Sequence, residues 1–408
     1  MFIKPFSGIR PDVKYVNAVN SPPYDVISRE EVRKIINSNP FSFLRITRAD
    51  GELPESIDEH SEEVYRKARE NFEEFFKKGI LFKEKAPCFY LLSQTWKGRT
   101  QIGIYAAVRC EDYEQGLIKR HELTRKEKEE DRTRHIYTVK AGTGPVFLTF
   151  EDNKDFNYIV KDWIKQPPLY TFLDEKSVEN NLWIINKNTE FIIDYFKKIP
   201  SFYIADGHHR AAAAVNVWKK IRQEKKGYSG PADYFMSVIF PASHLQILPY
   251  NRIVLDLNNI SREDFLSLVK KRFTVKPSIS LAPEKKGEFG MCLNGEIYRL
   301  SLLPEVGNSK DVLDADILQR YLLSPILGID DPRSSNRIQF IGGIKPAEEL
   351  VQIVKEGKAK ISFALFPVSI RDVMEVADRG EIMPPKSTWF EPKLRDGLVV
   401  YSIEQDSY

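Results

Sequence analysis

Only three cysteines occur in 408 residues, Cys88, Cys110 and Cys292. They form no CxxC pair and no even-numbered framework, so a disulfide scaffold is excluded and a reducing cytoplasm is the expected setting. No uncharged apolar run reaches the roughly 18 residues that span a bilayer. The N-terminal MFIKPFSGIRPDVKYV lacks the apolar core of a secretion signal. An excess of one charge is missing too. Lys plus Arg total 61 and Asp plus Glu 58, a formal charge of +3, which supplies no global field to hold DNA or an anionic membrane. There is no GxxxxGK(S/T) loop, and no protein-kinase set of Gly-rich loop, His-Arg-Asp and Asp-Phe-Gly. Gly142-Thr143-Gly144 is too short to cradle phosphates. Repeats and low-complexity tracts are absent.

What remains is a well-mixed globular composition, 42% hydrophobic and 29% charged, enough chain for two or three domains. Ser28 with Glu31 matches a capping box that opens a helix to about residue 37. Apolar residues at helical spacing (Val64, Ala68, Phe72, Phe75) predict a helix over 61–78, closed by Gly79. Strands are expected at 88–94 and 101–109 about a Lys97-Gly98 turn, then at 146–150, 201–205 and 234–240. Residues 116–140 are dense in charge and read as a solvated helix. Beyond 250, helices are expected at 262–272, 309–323 (Ser309 as N-cap), 347–356 and 369–379. Strands are expected at 273–277, 291–293, 298–302 and 359–366. Helices and strands alternate throughout, so the fold class is α/β (mixed α+β), with regions 1–250 and 251–408 meeting near 245–255.

One turn carries chemistry. Ser201 to Ala205 read as a buried strand, Asp206-Gly207-His208-His209-Arg210 follow, and an Ala-rich helix begins. A helix N-terminus presents unpaired N–H groups and partial positive charge, and Gly207 allows close backbone approach. His208, His209 and Arg210 add charge-assisted donors for phosphate oxygens. Convergence of both adjacent imidazoles on one metal is disfavoured, since neighbours on a helix point about 100° apart. Arg120 and Arg132 in the charged segment, and Lys386, Ser387 and Thr388 after two prolines, are further phosphate candidates.

The strand–DGHHR–helix unit resembles the signature turn of the ParB/sulfiredoxin superfamily, in the variant found in archaeal free-serine kinases. A longer family, catalogued as a domain of unknown function, is similar over nearly the whole chain. Its hallmarks are Ser21-Pro22-Pro23-Tyr24-Asp25, Arg120-His121-Glu122-Leu123-Thr124, Asp131-Arg132, the 206–210 turn and Met383-Pro384-Pro385-Lys386-Ser387-Thr388. The resemblance implies a ParB/sulfiredoxin-like core with large insertions and a C-terminal α/β region. It also implies phosphorylation of free L-serine to O-phospho-L-serine, with diphosphate as one donor in such families and a place in cysteine biosynthesis. His208 stands where sulfiredoxins carry their cysteine, which argues against sulfinate repair. No recognition helix is evident, which argues against the DNA-binding branch.

Phosphoryl transfer needs an in-line acceptor, neutralised charge and a base. Glu122 is the leading base and Asp206 the second; His209 joins them as a catalytic candidate. Tyr24, Asp25, His121 and Thr124 are the substrate-binding candidates. Magnesium is the expected cofactor, with Asp206 and Asp131 as ligands and Asp25 as a further choice. The donor is expected to be diphosphate, with ATP or ADP as the alternative. Two other readings stand beside the kinase: a nucleotide- or nucleic-acid-binding regulator, and a phosphate-ester hydrolase. Oligomeric state leaves no mark in the sequence.

Overall fold

The computed structural model describes residues 1–152, 155–307 and 313–404, and falls into two units. One comprises Met1–Leu245 and the C-terminal stretch from Pro392; the other is Gln246–Glu391. The C-terminal segment assigned above to the second region therefore rejoins the first unit, where Tyr401–Ser402 pairs with Ala141–Gly142.

The first unit is built on a mixed sheet. Among the described residues its strand order is Ile118–Lys119, Phe202–Asp206, Val146–Phe150, Tyr234–Pro241, Arg99–Arg109, Phe89–Trp96, Glu179–Ile185 and Tyr170–Leu173, with Ile3–Lys4 also on Arg99–Arg109. Side chains two apart on a strand share a face. Phe89 and Leu91, Ile104, Ala106 and Val108, and Val146, Leu148 and Phe150 thus line one surface. The helices Asp155–Ile164, Thr189–Lys197 and His208–Glu224 cover it with Phe156, Phe196, Ala211 and Val215. A second core in the same unit packs Val64, Ala68, Phe72 and Phe75 of helix Glu62–Lys77 against Phe43, Ile46 and Val139.

The expected capping box is present: Ser28 accepts from the Glu31 N–H, and the Glu31 carboxylate accepts from the Ser28 N–H. Lys97 and Gly98 both take positive φ, 50° and 77°, the geometry of a tight hairpin turn. The charged segment differs from expectation. It is helical only over Lys126–Val139, and that helix buries Asp131, Arg132 and His135 rather than leaving them solvated.

The second unit has a six-stranded antiparallel sheet, ordered Phe273–Pro277, Glu296–Leu302, Glu288–Leu293, Ile361–Leu365, Tyr250–Val254 and Ile338–Gly342. Helices Arg262–Lys270, Ala347–Lys355 and Ile370–Asp378 lie where the sequence placed them. The fourth is described from Asp314 to Leu318 and continues as a π-helix over Gln319–Leu323. Ser309, its expected N-cap, lies outside the described residues. Among the described residues no helix is long and apolar enough to cross a membrane.

Candidate functional site

The turn after strand Phe202–Asp206 is the centre of the site. Gly207 is the N-cap of helix His208–Glu224 with φ +89°, and no side chain caps the first-turn N–H groups. The left-handed backbone costs an L-residue about 1–2 kcal/mol. A Cβ at Gly207 would also lie 2.9 Å from Arg210 Nε. Gly207→Ala is accordingly expected to destabilise the protein by about 1–2 kcal/mol or more and to displace Arg210. Denaturant titration checks the first and loss of activity the second.

His208 is buried and points toward residues 121–122. Its ring meets that of His121 edge-on, centroids 4.6 Å apart, and its Nδ1 lies 4.0 Å from Glu122 Oε2. Ligand atoms of His121, Glu122 and His208 all fall within 4.8 Å of one another, while His208 Nε2 has no hydrogen-bond partner among the described residues. His209 faces elsewhere: its Nε2 accepts from the Arg125 N–H at 3.0 Å, which leaves Nδ1–H as the ring's donor. The adjacent rings thus diverge, His208 toward Glu122 and His209 toward the Arg125 N–H. The sequence did not anticipate that His208 would gather His121 and Glu122, because the partners sit on a loop 86 residues upstream.

Arg210 is buried, and its Nη1 donates to the Pro145 carbonyl at 2.5 Å. Asp206, Asp25 and Asp396 all lie within its electrostatic reach and raise its pKa against the burial that would lower it. Asp396 is 1% exposed, and neither carboxylate oxygen has a partner of good hydrogen-bond geometry. Burial drives its carboxyl up to about 7, although Arg210 and the Tyr24 backbone amide pull it back. Asp396 went unread in the sequence, where nothing marks it.

Asp206 is spoken for. Its Oδ1 accepts from the Gly207 N–H at 2.8 Å and its Oδ2 from Lys393 Nζ at 2.9 Å. Burial pushes this carboxyl up, but Lys393 and Arg210 outweigh it and hold it far below the usual carboxylate range. Such a carboxylate is a poor proton acceptor. Asp131 is equally engaged: Oδ1 accepts from Tyr65 Oη at 2.9 Å and faces His60 Nδ1 at 3.0 Å, and Oδ2 accepts from Arg132 Nε at 2.7 Å. Despite burial, Arg132 and Tyr65 keep it at about 2. Neither acid fits the magnesium-ligand role expected of it, since both oxygens of each already face donors. The His121–Glu122–His208 group is the cation-compatible one found among the described residues, and its nitrogens suit transition metals better than magnesium.

The other candidates fall as follows. Arg132 stacks on Tyr24, 4.2 Å from the ring centroid, and reaches the Thr47 carbonyl. Arg120 is exposed and donates to Tyr113 Oη at 3.3 Å. Thr124 turns its hydroxyl to Glu129. Tyr24, Asp25, Arg132 and Asp131 line a polar pocket of about 200 Å³ with Arg48, Asp50 and Lys128. Asp25 and Lys128 also act electrostatically on His209, which ties that pocket to the turn. Lys386, Ser387 and Thr388 belong to the second unit. There Lys386 adopts φ +58°, and the Ser387 hydroxyl donates to the Pro384 carbonyl at 2.7 Å.

Burial holds His121, His135 and His209 at about 4, and His208 well below its ordinary value. A folded state that keeps these rings neutral binds fewer protons than the unfolded chain between about pH 6.5 and 4. Stability is therefore lost as pH falls through that window. Asp396, Asp314, Asp316 and Asp112, raised by burial, act with the opposite sign, against five lowered histidines once His244 is included. The melting temperature is expected to fall modestly between about pH 6.5 and 4.5, the raised carboxyls offsetting part of the histidine contribution, read by circular dichroism. A rise in melting temperature over that window would contradict the neutral, buried rings.

The family described as "Protein of unknown function (DUF1015)" matches residues 3–322. No curated protein matches the chain. Solved structures similar to it include a free serine kinase variant in complex with AMP (15% identity, TM-score 0.35, covering 70% of this chain and 87% of that one). Others are a conserved hypothetical protein from Pyrococcus furiosus (14%, 0.34, 72% and 93%) and SbnI with C-terminal truncation from Staphylococcus aureus (10%, 0.37, 72% and 85%). Likeness at this level carries no weight for fold detail or activity.

Proposed function

The chain belongs to the DUF1015 family, and we propose that it is a small-molecule kinase that converts free L-serine to O-phospho-L-serine on a ParB/sulfiredoxin-like core. The observation that carries this reading is the placement of Glu122 Oε2 4.0 Å from His208, at the uncapped N-terminus of helix His208–Glu224. Helix N–H groups and the His209 Nδ1–H receive the donor's phosphoryl oxygens. Glu122 takes the proton as the serine Oγ attacks phosphorus and the bridging P–O bond breaks. Asp25 and the pocket it lines receive the ammonium and carboxylate of serine. Asp206 is a positioning residue that ties the turn to Lys393.

Diphosphate is the proposed donor, because the chain carries no nucleotide-phosphate loop. Magnesium arrives on the donor's oxygens as part of the substrate. Incubation of the purified protein with L-serine, magnesium and either diphosphate, ATP or ADP, followed by mass-spectrometric detection of phosphoserine, tests the reading. Product with diphosphate supports it in full. Product with a nucleotide alone corrects the donor, and no product with any donor refutes the substrate.

A further inference from the structure

The second unit contains a pocket of about 320 Å³ that the kinase reading leaves unused. Its size sits at the small end of the roughly 300–1,000 Å³ typical of ligand sites. At one wall is Arg252, on strand Tyr250–Val254 and 3% exposed. Its guanidinium donates to the Tyr250 carbonyl and to the Lys386 carbonyl at 3.2 Å, and lies 5.3 Å from the Phe340 ring centroid. No carboxylate pairs with it among the described residues. Burial pushes it down to about 10. A buried cation without a counter-charge is costly unless an anion completes it.

Carboxylates line the same pocket, and most are engaged. Asp331 pairs with Arg333 at 3.0 Å, and Asp330 accepts from the Ser324 hydroxyl. The Asp316 carboxylate makes no hydrogen bond or ion pair among the described residues; burial pushes it up, and Arg320 pulls it back. Beside it, Gln319 donates to the Ile329 carbonyl at 2.7 Å while its Oε1 has no donor. Gln319 opens a π-helical turn, a geometry frequent at functional sites. The pocket thus offers one uncompensated cation, and opposite in character an uncompensated carboxylate and an unsatisfied carbonyl.

We infer that this pocket binds a free α-amino acid, its carboxylate on Arg252 and its ammonium toward Asp316 and Gln319. A plain polyanion such as phosphate is disfavoured by the carboxylates around it. The assignment also accounts for the Met383–Lys386 motif. Met383, Pro384 and Pro385 line the pocket, and the Lys386 carbonyl anchors Arg252.

The test is isothermal titration of the full chain, without any phosphoryl donor, with each of the common amino acids including L-serine. DL-lactate, ethanolamine and inorganic phosphate serve as probes lacking the ammonium, the carboxylate or both. At least one amino acid is expected to bind saturably at millimolar concentration or below, with the three probes failing. Arg252→Gln should weaken that event at least about tenfold, the loss of a charge-assisted hydrogen bond. Asp316→Asn, which tests the other end of the pocket, should do the same if Arg252→Gln fails to fold. Binding should persist in Asp25→Asn, which alters the serine pocket of the kinase reading on the other unit, so failure of that reading and failure of this one are distinguishable. Absence of binding by every amino acid, equal binding of lactate or phosphate, or unchanged affinity in both variants would overturn the inference.

Discussion

Glu122→Gln is expected to lower the rate of phosphoserine formation by about 10²–10⁴, the usual worth of a positioned general base. At about 1.4 kcal/mol per tenfold this is roughly 3–5.5 kcal/mol of the barrier. The amide keeps the side chain's size and its place 4.0 Å from His208, so affinity for the donor should stay near that of the wild type. The two readouts separate the roles. A fall in kcat with unchanged donor Kd and unchanged melting temperature marks a base. A parallel fall in melting temperature would make Glu122 a structural acid. Asp206 is the contrasting case: Lys393 and the Gly207 N–H occupy both its oxygens, so Asp206→Asn should perturb the turn more than the chemistry.

Arg210→Ala is expected to cost about 3–5 kcal/mol of stability, the range for removing one partner of a buried charge cluster. The sequence alone presents Arg210 as a phosphate ligand. Its burial, its bond to the Pro145 carbonyl and its position among Asp206, Asp25 and Asp396 make it a structural cation as well. Without it the burial that raises the Asp396 carboxyl loses its main opposing charge, which favours the protonated acid. His209→Ala removes a half-buried ring with one backbone contact and should cost much less. Urea denaturation of both variants reads the difference, and equal stability would contradict the buried cluster.

The strand–turn–helix unit was legible because each part has a local cause: an apolar run, a glycine at a position that needs positive φ, and an alanine-rich start. Helix Glu62–Lys77 was legible for the same reason, an apolar stripe at helical spacing. Helix Lys126–Val139 was misread because its buried face mixes Asp131, Arg132 and His135 with only Ile136 and Val139. Asp131, Arg132 and His135 satisfy one another, Tyr65 and backbone carbonyls, and periodicity of hydrophobic residues cannot reveal that. The ion pair of Asp206 with Lys393 spans 187 residues, a distance over which spacing carries no signal. Motif likeness marked residues 120–124 and 383–388 without saying what they would meet. The structure adds His208 to the first pair of residues and Arg252 to the second stretch.

Phosphorus-31 NMR of the protein with L-serine, magnesium and diphosphate tests the central claim directly, namely that the turn holds a transferable phosphoryl group beside Glu122. The account predicts that phosphoserine and inorganic phosphate grow in equal amounts, and that neither grows in Glu122→Gln. Inorganic phosphate appearing alone, at two per diphosphate consumed and independent of serine, would contradict it and make the protein a hydrolase.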